Sequence, residues 1–148
     1  MYYPYLHAKQ FELKALREFS EEYHDEKKIV PILEPVKKQP NALKLAIKDM
    51  GKNGMQYALI VNPVDGDFKH ESVSFDVLLK ELGLFENGKA GNNWIPAFLC
   101  SKNQLKMINP LIERYNLTNV MLIFRSFMDI DNPIVNELVS DSRVGYIV

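Results

Sequence analysis

Apolar residues along the chain follow two alternating rhythms. Short aliphatic or β-branched blocks, "KIVPILEPV", "YALIVNP", "WIPAFLC", "TNVMLIFR" and "VGYIV", read as strands, the first nearly continuous as in a strand covered on both faces. Between them run longer stretches whose apolar residues recur every three or four positions, the period of a helix with one buried face. In "NALKLAIKDMGKNG" that face is Leu43, Ala46, Ile47 and Met50, and Asn53-Gly54 is the stop. In "FDVLLKELGLF" it is Phe75, Leu78, Leu79 and Leu82, with Ser74 as N-cap and Gly83 as left-handed exit. Ser101 is expected to cap a helix in "KNQLKMINPLIERYN". Pro110 is expected to kink or divide it, because proline lacks an N–H and crowds the preceding turn. Asn132 and Pro133 read as N-cap and first residue of a short helix through Leu138. The opening "YYPYL" reads as a strand that tolerates Pro4 near its start. It feeds a helix from about Gln10 to Tyr23 with Phe11, Ala15, Leu16, Phe19 and Tyr23 as its apolar face.

This gives six strands and five helices, with strand starts roughly 25 to 37 residues apart, the length of a βα unit. Crossovers of that length join parallel neighbours. The fold class expected is therefore α/β, built of parallel βα units: a partial (β/α)8 barrel, with an open doubly wound sheet as the alternative. No shift of composition marks a boundary, so residues 1–148 read as a single α/β domain. Val148 stops inside an apolar run with no cap or polar tail, and the chain is expected to be the N-terminal part of a longer one.

Composition narrows the function more than the fold. Eighteen Lys and Arg against nineteen Asp and Glu give a formal charge of -1, so no overall basic field draws the chain to nucleic acid or an anionic membrane. No apolar stretch approaches the roughly 18 residues of a membrane span, and the N-terminus lacks the pattern of a signal peptide. With one cysteine, Cys100, there is no internal disulfide and no structural zinc site of thiolates. A reducing, cytoplasmic setting is expected.

In either parallel architecture, functional groups collect where strands end and the next helix begins. The residues at those places are Lys9, Glu34 in "ILEP", Asn62 in "IVNP", Cys100-Ser101 and Arg125 in "LIFR". A lysine, a carboxylate, an amide and an arginine on one face can bind an anion or share a proton transfer. Glu34 is the candidate catalytic residue, and Lys9, Glu12, Asn62 and Arg125 are the candidate substrate-binding residues. Two acidic pairs, Asp65 with Asp67 and Asp129 with Asp131, lie in loops of the same face, but their spacing is that of turns and helix caps, and no metal ligand set is assigned. His24 and His70 sit in polar segments; His7, beside the end of the first strand, is the one histidine placed to join a site. Cys100 reads as a buried strand cysteine. No Walker A loop, dinucleotide fingerprint or nucleophile elbow is present. "NGKAGNN" precedes a strand instead of following one and reads as a flexible connection. The cofactor, if any, is not identified by the residues. The lysines of "PVKKQP" and Lys102 lack interleaved aromatics, so direct binding of nucleic acid is not expected.

"YYPYLHAKQFELKALREF", a Y-x-P-x-L-x-x-K-x-x-E-L-x-A-L pattern, followed by "IVPILEPVK", resembles the start of the phage-type "beta protein" family, also found in bacterial chromosomes and mobile elements. The matching positions are Tyr3, Pro4, Lys9, Glu12, Glu34 and Pro35; where the family more often has Arg-Gly, this chain has His7-Ala8. The resemblance covers about the first 40 residues and implies a longer chain of the same βα rhythm. The family has no established activity. Relatives beside predicted nuclease genes imply a mobile-element or defence-related accessory protein that acts through a protein partner. The residues themselves leave a second expectation: a barrel-like enzyme of hydrolase or phosphoryl-group chemistry, with Glu34 as acid/base and Lys9 and Arg125 as anion clamps.

Overall fold

From Val30 to Val36 every residue is buried, which is what the continuous apolar block requires of a strand covered on both faces. A computed structural model describes residues 1–25, 27–70, 75–86, 89–90, 93–129 and 131–148. The chain divides into two units, Met1–Trp94 and Ile95–Val148.

In the first unit, β1 (Tyr5–Leu6), β2 (Ile32–Leu33) and β3 (Tyr57–Ile60) lie side by side in chain order, all parallel. The ladder extends past the short strands: the Ile32 N–H donates to the Pro4 carbonyl and the Glu34 N–H to the Leu6 carbonyl, each at 2.8 Å. A separate bridge joins Tyr2 and Ile29. The register aligns Tyr5 with Ile32 and Ala58, and Leu6 with Leu33 and Leu59. Because successive strand residues face opposite sides, three leucines share one face, and Tyr5, Ile32 and Ala58 the other.

Helices α1 (Gln10–Glu22) and α2 (Asn41–Lys52) pack on each other. The buried positions of α2 are Leu43, Ala46, Ile47 and Met50, as the spacing predicts, and Gly54 follows at φ +71 as the stop. The expected apolar face of α1 is corrected. Its buried residues are Leu13, Leu16 and Ser20, while Phe11 is 83% exposed and Ala15 and Tyr23 face solvent. Polar contacts to α2 decide the rotation. The Arg17 Nε donates to Asp49 Oδ2 at 2.5 Å, and the Asn53 amide donates to the Oγ of the fully buried Ser20 at 3.0 Å. A serine on the buried side hides that side from a search for apolar residues. Beyond β3, a 3₁₀ turn (Gly66–Phe68) and α3 (Phe75–Glu81) follow, with Leu78, Leu79 and Leu82 buried and Gly83 at φ +67. Ser74 and the side chain of Phe75 lie outside the described residues. The stretch expected as a plain connection, positions 87–93, carries β5 (Lys89–Ala90), paired antiparallel with β4 (Phe85–Glu86) just before it; positions 87–88 and 91–92 lie outside the described residues.

Strand β6 (Trp94–Leu99) begins at the last residue of the first unit. In the second unit, β6, β7 (Val120–Ile123) and β8 (Val144–Ile147) again run parallel in chain order. The β6–β7 register starts at Ala97, one residue past Pro96, whose ring nitrogen cannot donate to a ladder. Helix α4 (Leu105–Arg114) starts later than expected: Ser101 contributes its carbonyl to the Gln104 and Leu105 N–H groups and is not the N-cap. Pro110 does not divide α4, for it lies on the exposed side, where water can satisfy the carbonyl it leaves without a donor. Helix α5 (Pro133–Val139) is capped as expected, Asn132 Oδ1 accepting from the Ile134 N–H at 2.9 Å. Before β8, Arg143 binds Asp141 through both guanidinium and amide groups, which holds the Asp141 carboxyl down at about 2.

The fold is α/β, made of parallel strands alternating with helices, as in part of a (β/α)8 barrel. A doubly wound sheet reverses its strand order, and neither unit does so. No described helix is long and apolar enough to cross a membrane.

Candidate active site

The strand register places one imidazole and one carboxylate side by side. His7 is two residues beyond Tyr5 and Glu34 two beyond Ile32, so a face that starts as Tyr5–Ile32 continues as His7–Glu34. Glu34 is completely buried. Its Oε2 accepts the Tyr5 hydroxyl at 2.5 Å and its Oε1 accepts the Val64 N–H at 3.0 Å, so both oxygens are held in place. The His7 Nε2 lies 3.8 Å from Glu34 Oε2, and the Tyr5 ring meets the His7 ring edge-on, centroids 5.8 Å apart.

The third member comes from the loop after β3. Asp65 Oδ2 is 3.2 Å from His7 Nε2. The loop is locked to the end of β2: the Asp67 N–H donates to the Val36 carbonyl at 2.9 Å, and Asp67 Oδ2 accepts the Lys38 N–H at 3.1 Å. Gly66 permits this approach. It has φ +63, and a Cβ there would lie 2.2 Å from the Val36 carbonyl oxygen. His7 and Asp65 keep 40% and 37% of their side-chain surface open, so the cluster is sealed behind Glu34 and wet in front. Ala8, directly after His7, is buried with φ 48, a left-handed conformation that costs an L-residue about 1–2 kcal/mol. Strain of this kind recurs where surrounding structure fixes a functional group.

A cleft of 310 Å³ opens beside these strand ends, its walls beginning one residue past His7, at Ala8 and Lys9, and one past Glu34, at Pro35, Val36 and Lys37. Leu13 and Leu43 form its apolar floor. Lys9 therefore edges the cleft as an exposed side chain. Glu12 serves the helix start instead: its Oε2 accepts the Lys9 N–H at 2.9 Å, satisfying a backbone donor at the beginning of α1. Asn62 is buried two residues past Ile60. The expected acidic pairs do not act as pairs. Asp65 turns to His7 and Asp67 to the backbone, while Asp129 Oδ1 accepts the Asp131 N–H in a local turn. In the second unit Arg125 is exposed and Ser101 half-buried. Cys100 is buried, and burial pushes its thiol up to about 12, against a smaller opposing pull from the backbone at Ile123.

Tyr5 and Val64 were not legible as site members; Asp65 stood among the loop carboxylates of this face but reads from the sequence as ordinary turn chemistry. The signal for Tyr5 and His7 was the period of two shared with Ile32 and Glu34; no sequence signal announces which loop residue will fold back onto them.

No protein-family model, curated protein or solved structure matches this chain.

Proposed function

We propose that this protein is an enzyme of hydrolytic type whose reaction centre is the cluster of His7, Glu34 and Asp65. The observation that carries this reading is a fully buried carboxylate at a strand end with an imidazole nitrogen 3.8 Å away, itself 3.2 Å from a second carboxylate. Glu34 has no open surface, so it acts here as a positioning residue, fixed by Tyr5 and Val64. His7 faces solvent and meets the water. As water loses a proton, the carboxylates stabilise the positive charge that the imidazole gains. The water oxygen bonds to a carbonyl carbon or phosphorus, the bond to the leaving group breaks, and the leaving atom takes the proton back. The cleft edged by Lys9, with its apolar floor, suits a substrate with an apolar body and an anionic end.

The test is a panel of carboxylic and phosphate esters, assayed with the wild-type chain and with His7→Ala and Glu34→Gln of unchanged melting temperature. Hydrolysis that falls by about 100-fold or more in both variants agrees with loss of a general acid–base centre. Turnover equal to wild type in both would refute the reading.

The accessory role through a protein partner is favoured by one separate observation: Phe11, Ala15 and Tyr23 lie exposed along one face of α1, with the Phe19 ring stacked on Tyr23 at 5.0 Å. On that reading both variants fold, form the partner complex and hydrolyse nothing.

A further inference from the structure

The same three side chains have the geometry of a metal site, and we propose that His7, Glu34 and Asp65 bind a divalent first-row transition ion of the zinc type. This rests on the reading of the strand ends as a reaction centre, and it names the cofactor of that centre. Their ligand atoms all lie within 4.8 Å of one another. For bonds of about 2.1 Å, ligand atoms sit about 3.0 Å apart in an octahedron and about 3.4 Å apart in a tetrahedron. The His7 nitrogen is 3.2 Å from one carboxylate oxygen and 3.8 Å from the other, so two edges of such a polyhedron are nearly formed. The third, between the two carboxylates, lies within 4.8 Å, with Asp65 the more open of the two.

The donor set selects the ion. One imidazole nitrogen with two carboxylates suits zinc, cobalt or manganese, whereas magnesium and calcium prefer oxygen throughout. Three protein ligands leave at least one position for water, the pattern of catalytic and not structural sites. With the ion held through Nε2, His7 serves as a ligand and activation of the water passes to the ion, whose charge also offsets the burial of the Glu34 carboxylate. Tyr5, donating to Glu34 Oε2, is the outer-shell partner that orients a ligand. Each ligand belongs to a different strand end or following loop, so the ion also ties β1, β2 and the loop after β3 together.

The experiment is titration of chelator-treated full chain with Co²⁺, read by visible absorption, and with Zn²⁺, read by calorimetry. The expected result is one ion per chain, with affinity lowered about 10-fold by Tyr5→Phe, as for an outer-shell partner. His7→Ala and Asp65→Asn, both at part-open positions, lower it further. No binding, or affinity unchanged in His7→Ala and Asp65→Asn, overturns the proposal. Ester hydrolysis that survives chelation at full rate overturns the ion and leaves the reaction centre standing. Specific ion binding in a chain that hydrolyses no ester sustains the ion and removes the hydrolase reading.

Discussion

Glu34 shows how one residue serves fold and site together. A buried carboxylate is costly unless its oxygens are met, and here the Tyr5 hydroxyl and the Val64 amide meet them. Glu34→Ala strips both donors of their acceptor inside the core and is expected to cost about 2–4 kcal/mol in urea unfolding. Glu34→Gln should cost under about 1 kcal/mol, because a hydroxyl both donates and accepts, and Tyr5 can turn to take the new amide proton. Equal stability of the two variants would mean that these contacts are not made. Sequence position alone marked Glu34 and His7, since both stand at strand ends. It could not mark Tyr5, which reads as an ordinary apolar strand residue until the β1–β2 register sets it two places before His7.

At the scale of elements, the helices and strands were largely legible because their apolar residues report burial directly. α2 matches its expected buried face and stop, and α5 its expected N-cap, running one residue past Leu138. α1 does not: its inner face carries Ser20, and the aromatics Phe11 and Tyr23 stand outside, so a count of apolar residues rotates the helix wrongly. Loops were the least legible, and the loop after β3 matters most. Its course depends on Gly66, whose positive φ and contact with the Val36 carbonyl no other residue can reproduce. Gly66→Ala is expected to destabilise the chain by about 2–4 kcal/mol, from the left-handed backbone and the collision combined. It should also weaken hydrolysis and ion binding by moving Asp65 off His7. A variant as stable and as active as wild type would show that the loop does not position Asp65.

At the scale of the molecule, parallel pairing in chain order puts the ends of β1, β2 and β3 on one side, which is why residues 58 positions apart can share a hydrogen bond. The βα rhythm predicted that arrangement, but not which polar residues it would gather: Lys9 and Glu12, prominent in the sequence, belong to the cleft edge and a helix start. The ends of β1 and β2 and the loop after β3 bring one imidazole and two carboxylates together. A crystal structure of the chain grown with Zn²⁺, with anomalous data at the zinc edge, tests it most directly. The expected result is one strong peak within bonding distance of His7 Nε2, Glu34 and Asp65. A structure in which these side chains point apart, or in which the zinc sits elsewhere and leaves them untouched, would contradict it.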